Sequence, residues 1–361
     1  MRWSWKTGRI GGIEVRMHAT FLLLVAWWGA SRYFERHYWT DVWGGVASIF
    51  VLFAIVVLHE LGHALAARKF GIRTQDITLL PIGGVARLER MPEDPKQELV
   101  VALAGPAVNA VFVVLLMPWL MLPNTLHRLQ ALPVIGGDFV GNLMWINLLL
   151  GAFNLIPAFP MDGGRVLRAL LAMRMDYVRA TSIAANLGQG FALVLGFIGL
   201  FSNPFLVFIA LFVWMGAAGE AGMVLVKSAL SGIPIRRAMA TEFRTLSPDE
   251  TLRDAAEHIV AGFQQDFPVV EDTRLVGILT RADLLRILAE DGRRHLVREA
   301  MKKNFVTAQP SETLENAFQR LQTCECHSLP VVDNERIVGI LTMETLGELL
   351  LKAPANQILA A

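Results

Sequence analysis

The chain has 361 residues, of which 54% are hydrophobic and 18% are charged, and its mean hydropathy is +0.45. Soluble domains carry about a quarter charged residues, so this composition excludes an ordinary soluble protein. The 33 lysines and arginines nearly balance the 32 acidic residues, leaving a formal charge of +1. Such a balance offers no electrostatic basis for binding nucleic acid, and we expect no nucleic-acid partner.

The apolar residues are concentrated in the part of the chain before residue 228. A helix that spans a bilayer needs about 20 largely apolar residues, and roughly six segments qualify. In chain order they are 17–34, 44–67, 98–122, 139–156, 181–201 and 204–226. The sequence therefore predicts an α-helical polytopic membrane domain over residues 1–228, with about six transmembrane helices in the lipid bilayer of the cell membrane.

Lysine and arginine are distributed unevenly among the predicted connections. They are frequent in the N-terminal tail, between the second and third segments, and between the fourth and fifth segments. By contrast, 35–43 and 123–138 hold one arginine each. Because basic residues concentrate in cytoplasmic connections, this pattern predicts a multi-pass protein whose two termini and C-terminal region are cytoplasmic.

The second predicted segment contains the pattern H-E-x-x-H, formed by His59, Glu60 and His63. Positions i and i+4 share one face of a helix, so both imidazoles can bind one tetrahedral Zn²⁺ while the glutamate acts as a base for water. The alternative is a polar helix end that stabilises a helix contact. Each ionisable side chain at mid-membrane depth costs about 2.5–3.5 kcal/mol, which favours the metal site.

A third zinc ligand is expected in the sequence N-L-I-P-A-F-P-M-D-G-G, which runs from Asn154 to Gly164. Its prolines break the helix, and irregular backbone at membrane depth is tolerated where it lines a cavity or packs on protein. Asp162 would be costly there unless a cation paired with it, and zinc supplies that cation. The alternative is an Asp-Gly turn in a cytoplasmic loop.

These two motifs together resemble those of the site-2 protease family of intramembrane zinc metalloproteases, peptidase family M50. The resemblance implies one zinc ion per chain, held by His59, His63 and Asp162. It also implies that Glu60 is the catalytic acid and base and that Asn154 acts in the transition state. The substrate would be a membrane-spanning protein that is cleaved within its transmembrane segment, as in regulated intramembrane proteolysis.

Two further segments within residues 10–228 resemble the same family. G-P-A-V-N at 105–109 lies in the third predicted span, and L-L-P-I-G-G-V at 79–85 resembles a membrane-associated hairpin that holds substrate as an extended strand. No PDZ-like insertion is evident between the two main motifs.

After residue 228 the chain repeats itself with an offset of 62 residues and no gap. For example, 268–270 and 330–332 are both P-V-V, and 277–280 and 339–342 are both G-I-L-T. Each copy reads as an amphipathic helix, two short strands and a second helix. We predict a soluble α/β pair of domains at 233–290 and 295–352.

This pair resembles tandem cystathionine-β-synthase (CBS) domains, in which G-h-h-T-x-x-D contacts an adenine nucleotide. Thr280 and Asp283 complete that pattern in the first copy, whereas Thr345 replaces the aspartate in the second. The resemblance implies one intact nucleotide site, by which the enzyme would be regulated. CBS pairs also serve as dimerisation modules, so a homodimer formed through them is the alternative role.

CBS pairs are also attached to channels and transporters, which gives a second hypothesis for the whole chain. The polar cluster of His59, Glu60, His63 and Asp162 would then be an ion site. A transporter needs no H-E-x-x-H pattern and often shows inverted repeats, which are not evident here. A catalytically silent scaffold is a third hypothesis, and the presence of all the predicted catalytic residues disfavours it.

Overall fold

A computed structural model describes residues 3–81, 83–89, 91–92, 94–120, 139–260, 264–289, 295–323 and 327–352. The chain divides into two compact units, Met1–Gly222 and Met223–Ala361. The first unit holds the helices predicted to lie in the membrane, and the second holds the repeated segments. The boundary between the units falls inside the last long helix.

The long helices occur where the apolar segments predict them. In chain order the helices of this region are α1 (Ala19–Arg36), α2 (Trp39–Lys69), α3 (Pro95–Leu120), α4 (Phe139–Asn154), α5 (Asp162–Ala172), α6 (Tyr177–Phe201) and α7 (Pro204–Leu230). The helix α5 is short and amphipathic and corresponds to no predicted span. The predicted connection at 123–138 lies outside the described residues.

Four helices in the described part of the chain are long and apolar enough to cross a bilayer, so the predicted count of about six is not confirmed. These candidate spans are Val42–Lys69, Pro95–Pro118, Tyr177–Phe201 and Pro204–Leu230. The helix α4 contributes a shorter apolar segment, Val140–Asn154. The helix α1 has 18 residues but ends in a charged stretch that includes Arg32, Glu35 and Arg36.

A four-stranded sheet accompanies the helices of the first unit. Its strands are β1 (Ser4–Ile10), β2 (Ile13–His18), β3 (Thr74–Leu80) and β4 (Gly83–Leu88). They lie in the order β1-β2-β3-β4; the β2–β3 pairing is parallel and the other two are antiparallel. Strands β1 and β2 were not predicted from the sequence; they are joined by Gly11 and Gly12 in the positive-φ conformations typical of a tight hairpin.

Alternation along the strands explains how the sheet packs. Ile13 and Val15 on β2, and Ile77 and Leu79 on β3, are buried against α2 and its neighbours. The intervening residues, such as Glu14, Asp76 and Thr78, are polar; Asp76 and Thr78 on the inner strand β3 are also buried, and Asp76 pairs with Arg87 of β4. The sheet therefore lies against the helix that carries the H-E-x-x-H motif.

The second unit shows the predicted order of helix, strand, strand and helix in both copies. The first copy contains α8 (Leu252–Val260), β5 (Asp266–Glu271), β6 (Arg274–Thr280) and α9 (Arg281–Ala289). After the short helix α10 (Val297–Ala300), the second copy contains α11 (Leu314–Thr323), β7 (Ser328–Asp333), β8 (Arg336–Thr342) and α12 (Met343–Lys352). The strands form one sheet in the order β5-β6-β8-β7.

The two copies bury equivalent side chains. Leu252, Leu279 and Leu284 lie in the core of the first copy, and Leu314, Leu341 and Leu346, each 62 residues later, lie in the core of the second. An irregularity in strand pairing also recurs at the same place, between Val269 and Val270 and between Val331 and Val332. The two copies of the sequence repeat therefore have equivalent cores and equivalent strand pairing.

Candidate metal centre and nucleotide site

Two buried histidines project from α2 towards a common point. His59 and His63 are four residues apart, and their Nε2 atoms lie 3.1 Å from each other. Their side chains are nearly inaccessible, with residue exposures of 3% and 7%. The predicted sharing of one helix face is therefore observed.

Asp162, the first residue of α5, completes a cluster with these histidines. Its Oδ2 atom lies 3.1 Å from Nε2 of His59 and 3.1 Å from Nε2 of His63. The segment between α4 and α5 turns sharply before it, and a Cβ on Gly163 would come within 2.2 Å of the carbonyl oxygen of Ile156. Glycine is needed there because the backbone approaches so closely.

The helix α3 contacts both imidazoles through their Nδ1 atoms. Nδ1 of His63 lies 2.7 Å from the carbonyl oxygen of Val101, and Nδ1 of His59 lies 3.3 Å from Oδ1 of Asn109. A carbonyl oxygen only accepts, so Nδ1–H of His63 donates and the Nε2 lone pair is left facing the cluster. Such outer contacts are usual for histidines that bind metal.

The three facing atoms fit a zinc ion. Bonds of about 2.0–2.1 Å in a tetrahedron hold ligand atoms roughly 3.3–3.4 Å apart, close to the 3.1 Å separations of this cluster. Gly105 of α3 keeps the adjacent space open, since a Cβ there would lie 2.2 Å from Nε2 of His63 and 2.6 Å from Nε2 of His59. The donor set and this space suit a small cation.

Glu60 lies beside the cluster and contacts strand β4. Its Oε2 atom accepts a hydrogen bond from the backbone N–H of Ala86 at 3.2 Å. The strand approaches so closely that a Cβ on Gly84 would lie 2.9 Å from Cγ of Glu60 and 2.8 Å from Cγ1 of Val56. The predicted base, Glu60, therefore lies next to the edge strand of the sheet.

Asn154 is the last residue of α4 and is partly buried. The hydrogen bonds that join the cluster do not include it, and the asparagine that contacts a cluster histidine is Asn109 instead. Asn109 belongs to the 105–109 segment that resembles the family, but its sequence position alone predicted no role for it. Val101 contributes a backbone oxygen, which leaves no signal in the sequence.

The predicted nucleotide residues lie in the second unit and contact each other. Oγ1 of Thr280 donates a hydrogen bond to Oδ2 of Asp283 at 2.6 Å. The same Oγ1 accepts a hydrogen bond from the backbone N–H of Asp283 at 3.2 Å. Burial raises the pKa of the Asp283 carboxyl, but the hydrogen bond from Thr280 and the charge of Lys302 outweigh it and hold that pKa below its usual value. In the second copy, the backbone N–H of Thr345 likewise donates to the hydroxyl of Thr342, but the Thr345 hydroxyl donates to the backbone carbonyl of Thr342 and there is no carboxylate.

Family models match most of both units. Residues 47–132 and 130–196 match peptidase family M50, and residues 235–290 and 297–352 match the CBS domain. A curated zinc metalloprotease of Methanocaldococcus jannaschii is 33% identical to this chain over 345 residues, which are 95% of the chain and 94% of that relative. The chain belongs to peptidase family M50.

Two further similarities accompany this M50 membership. A Synechocystis relative whose name also contains the words zinc metalloprotease is 31% identical over 313 residues, covering 82% of this chain and 80% of that protein. A solved structure titled site-2 protease from Methanocaldococcus jannaschii is 37% identical, covers 61% of this chain and 95% of its own, and has a TM-score of 0.44.

Membership of family M50 confirms the resemblance found in the sequence and makes the protein a zinc metalloprotease with a C-terminal pair of CBS domains. It also argues against the transporter and scaffold hypotheses. Within the described residues of this M50 protease, the buried cluster on α2 and α5 is a group of side chains that could hold a metal ion.

Proposed function

We propose that this protein is an intramembrane endopeptidase that cleaves transmembrane segments of membrane-anchored proteins. The observation that carries the proposal is that His59, His63 and Asp162 are buried at one point. The two histidines lie on a helix whose residues 42–69 are long and apolar enough to cross a bilayer. A peptide bond that reached this cluster would have to enter the helical region. Such a site suits substrates that are themselves in the membrane.

In this proposal His59, His63 and Asp162 hold one zinc ion. When bound, zinc supplies Lewis acidity, which polarises a carbonyl group and acidifies water. The hydrogen bonds from the Nδ1 atoms to Val101 and Asn109 hold the two rings with their Nε2 lone pairs directed inward. These contacts support the assignment of the two histidines as ligands through Nε2.

Glu60 is proposed as the acid and base. It would take a proton from the attacking water and deliver the proton to the nitrogen of the leaving amine. Its position between the cluster and the edge of β4 supports that role, because a substrate on this edge would lie next to its carboxylate. Asn154 remains a candidate for hydrogen bonding to the oxyanion, a type of contact worth about 3–4 kcal/mol.

Strand β4 is proposed to bind the substrate as an added strand. It is at the edge of the sheet, and Ala86 directs its N–H away from β3 towards Glu60. The backbone N–H and C=O groups of a strand alternate in direction from one residue to the next. Gly84, two residues before Ala86, therefore directs its backbone groups to the same edge. A locally unwound transmembrane helix could pair there through its backbone, which leaves its peptide bonds free of helical hydrogen bonds.

For the second unit, we propose that an adenine nucleotide bound at Thr280 and Asp283 regulates proteolysis, and that the CBS pair forms a homodimer. The proposed domains are 1–228, 233–290 and 295–352. We also propose that both termini and the CBS pair lie in the cytoplasm, because the basic connections predict that orientation. The substitution of Asp by Thr345 supports a single nucleotide site in each chain.

The test of the protease proposal is Glu60→Gln in the full-length protein, reconstituted in vesicles with a single-span substrate. The variant should retain zinc at the wild-type stoichiometry, measured by elemental analysis, because Glu60 is not in the ligand cluster. Cleavage should fall by at least about a hundred-fold, as for loss of general acid–base catalysis. Normal cleavage by Glu60→Gln would contradict the proposed mechanism.

A further inference from the structure

Arg168 of α5 is completely buried, with 0% of its surface exposed. Its Nε atom donates to Oε1 of Glu98 at 2.8 Å, and its Nη1 atom donates to Oε1 of Glu220 at 2.6 Å. The rings of Phe159 and Tyr177 lie on it, each with its centroid 5.0 Å from Cζ. A buried ion pair often contributes little net stability, so this arrangement calls for a role other than stability.

The partners of Arg168 connect it to the helix that contacts the cluster histidines. Glu98 lies on α3, three residues before Val101 and seven before Gly105, so all three occupy one face of that helix. This face also presents the groups that orient the two cluster histidines. Arg168 itself lies six residues after Asp162 on α5. The ion pair thus joins the helix that orients the histidines to the helix that begins with the aspartate.

We propose that the Arg168–Glu98 ion pair is a positioning contact that sets Asp162 against the two histidines. The inference rests on the proposed assignment of these three residues as the zinc ligands. Ligand distances in metal sites are constrained to within about 0.2 Å. A small displacement of α5 along α3 would therefore separate Oδ2 of Asp162 from the Nε2 atoms.

The chemistry of the ion pair supports positioning. A planar guanidinium held between two rings has few orientations, which makes arginine a more exact spacer than lysine. Both Nε and Nη2 donate to the same oxygen of Glu98, and its other oxygen, Oε2, is buried without a hydrogen-bond partner among the described residues. The pair does not use the two-oxygen geometry that stabilises most; its geometry fixes one oxygen atom at one place.

The test compares the two acidic partners of Arg168 in the full-length protein. Zinc affinity, measured by competition with a chromogenic chelator, should weaken at least ten-fold in Arg168→Met and in Glu98→Gln. Glu220→Gln is the matched control, because it removes a carboxylate from the same arginine but lies on α7, outside the α3–α5 contact. Its zinc affinity should stay within three-fold of wild type.

A spectroscopic measurement separates positioning from general destabilisation. The visible absorption of the Co²⁺-loaded protein reports ligand geometry, and it should change in Arg168→Met and Glu98→Gln but not in Glu220→Gln. Arg168→Lys should recover part of the zinc affinity lost in Arg168→Met. The double variant Arg168→Met/Glu98→Gln should bind zinc no more weakly than either single variant, since both break one contact.

Three results would overturn the inference: equal losses in all three single variants, losses that parallel the melting temperatures of the metal-free proteins, or an unchanged Co²⁺ spectrum. Wild-type protein that bound no zinc would refute the metal centre itself. Wild-type binding with unaffected variants would refute only the positioning role.

Discussion

The metal centre and the Thr280–Asp283 pair both place a carboxylate in the first turn of a helix, but their polar groups are satisfied differently. In the metal centre, the Nδ1 hydrogens of both histidines are directed outward to α3, so His59, His63 and Asp162 turn acceptor atoms towards one another. Three converging acceptors are unsatisfied unless a cation or protons lie between them. The geometry of this site therefore suits a bound cation.

At Thr280 and Asp283 the donors and acceptors are already matched. The hydroxyl donates to the carboxylate, and the backbone N–H of Asp283 donates to the hydroxyl, so the threonine side chain caps the start of α9 as in one half of a capping box. A T-x-x-D motif can thus stabilise a helix end without any ligand. Convergent unmatched groups are the stronger structural indicator of binding, and the nucleotide proposal depends on the family resemblance.

The largest expected effect is at Asp162. Asp162→Ala should weaken zinc binding by more than about a hundred-fold, because it removes one of the three converging acceptors, and outer contacts alone cost 10- to 100-fold. The control is Asp176→Ala, which removes the N-cap of α6 and should cost about 0.5–2 kcal/mol of stability. Elemental analysis should show zinc retained in that control. Equal zinc loss in Asp162→Ala and Asp176→Ala would contradict the distinction between a carboxylate that binds metal and one that caps a helix.

Gly105→Ala tests the space beside the cluster. Its new Cβ would lie closer to both Nε2 atoms than ordinary contact allows, so we expect zinc affinity to fall at least about ten-fold. Gly190→Ala on α6, where a Cβ meets nothing within 4 Å, should leave zinc binding unchanged. Chelator competition on the two purified variants measures the difference. Unaltered affinity in Gly105→Ala would mean that the cluster does not need this space.

The nucleotide site offers a test within the repeat. Loss of a hydrogen bond to a charged group costs about 1.5–3 kcal/mol, so Asp283→Ala should weaken nucleotide binding roughly ten- to a hundred-fold. Thr345→Ala, at the equivalent position of the second copy, should change it little. Calorimetry with AMP, ADP and ATP on the full-length protein measures both. Absence of binding by wild type at millimolar concentration would leave the threonine–aspartate pair as a helix cap.

The smallest expected effect concerns acid stability. Since the folded pKa of Asp283 is depressed, its carboxylate contributes stability above its unfolded pKa of about 3.9, and this contribution is lost as the pH falls through the folded value. Asp283→Asn should therefore reduce the loss of stability of the CBS pair between about pH 5 and pH 3. Melting temperatures of wild type and variant across this range provide the measurement. Parallel curves would contradict the depressed pKa.

Much of the fold could be predicted because its signals are local. A 62-residue repeat predicts two equal sets of elements, and both copies contain them, with equivalent leucines in their cores. The spacing of His59 and His63 predicts a shared helix face, and that face is observed. In these cases the pattern and the structure it specifies lie within one element or one unit.

The rest depended on contacts between distant segments. The contribution of Val101 is a backbone oxygen, which any residue possesses, and Asn109 gained its role only through the packing of α3 on α2. Arg168 and Glu98 gave a usable signal, since ionisable residues near membrane segments are costly, but they are 70 residues apart. Strands β1 and β2 were missed because their short polar alternation precedes a strongly apolar segment.

The parallel pairing of β2 with β3 has a topological consequence for the membrane region. Arg16 pairs with Thr78, so the chain leaves the sheet at His18, passes through α1 and α2, and rejoins the same sheet at Thr74. If the sheet lies on one side of a bilayer and α2 carries the chain across it, α1 must carry the chain across in the other direction. The 18 residues of α1 make a helix about 27 Å long, close to the roughly 30 Å thickness of the hydrocarbon layer. The sheet joins the start of α1 to the end of α2, so the β2–β3 pairing limits how many times the chain can cross between them.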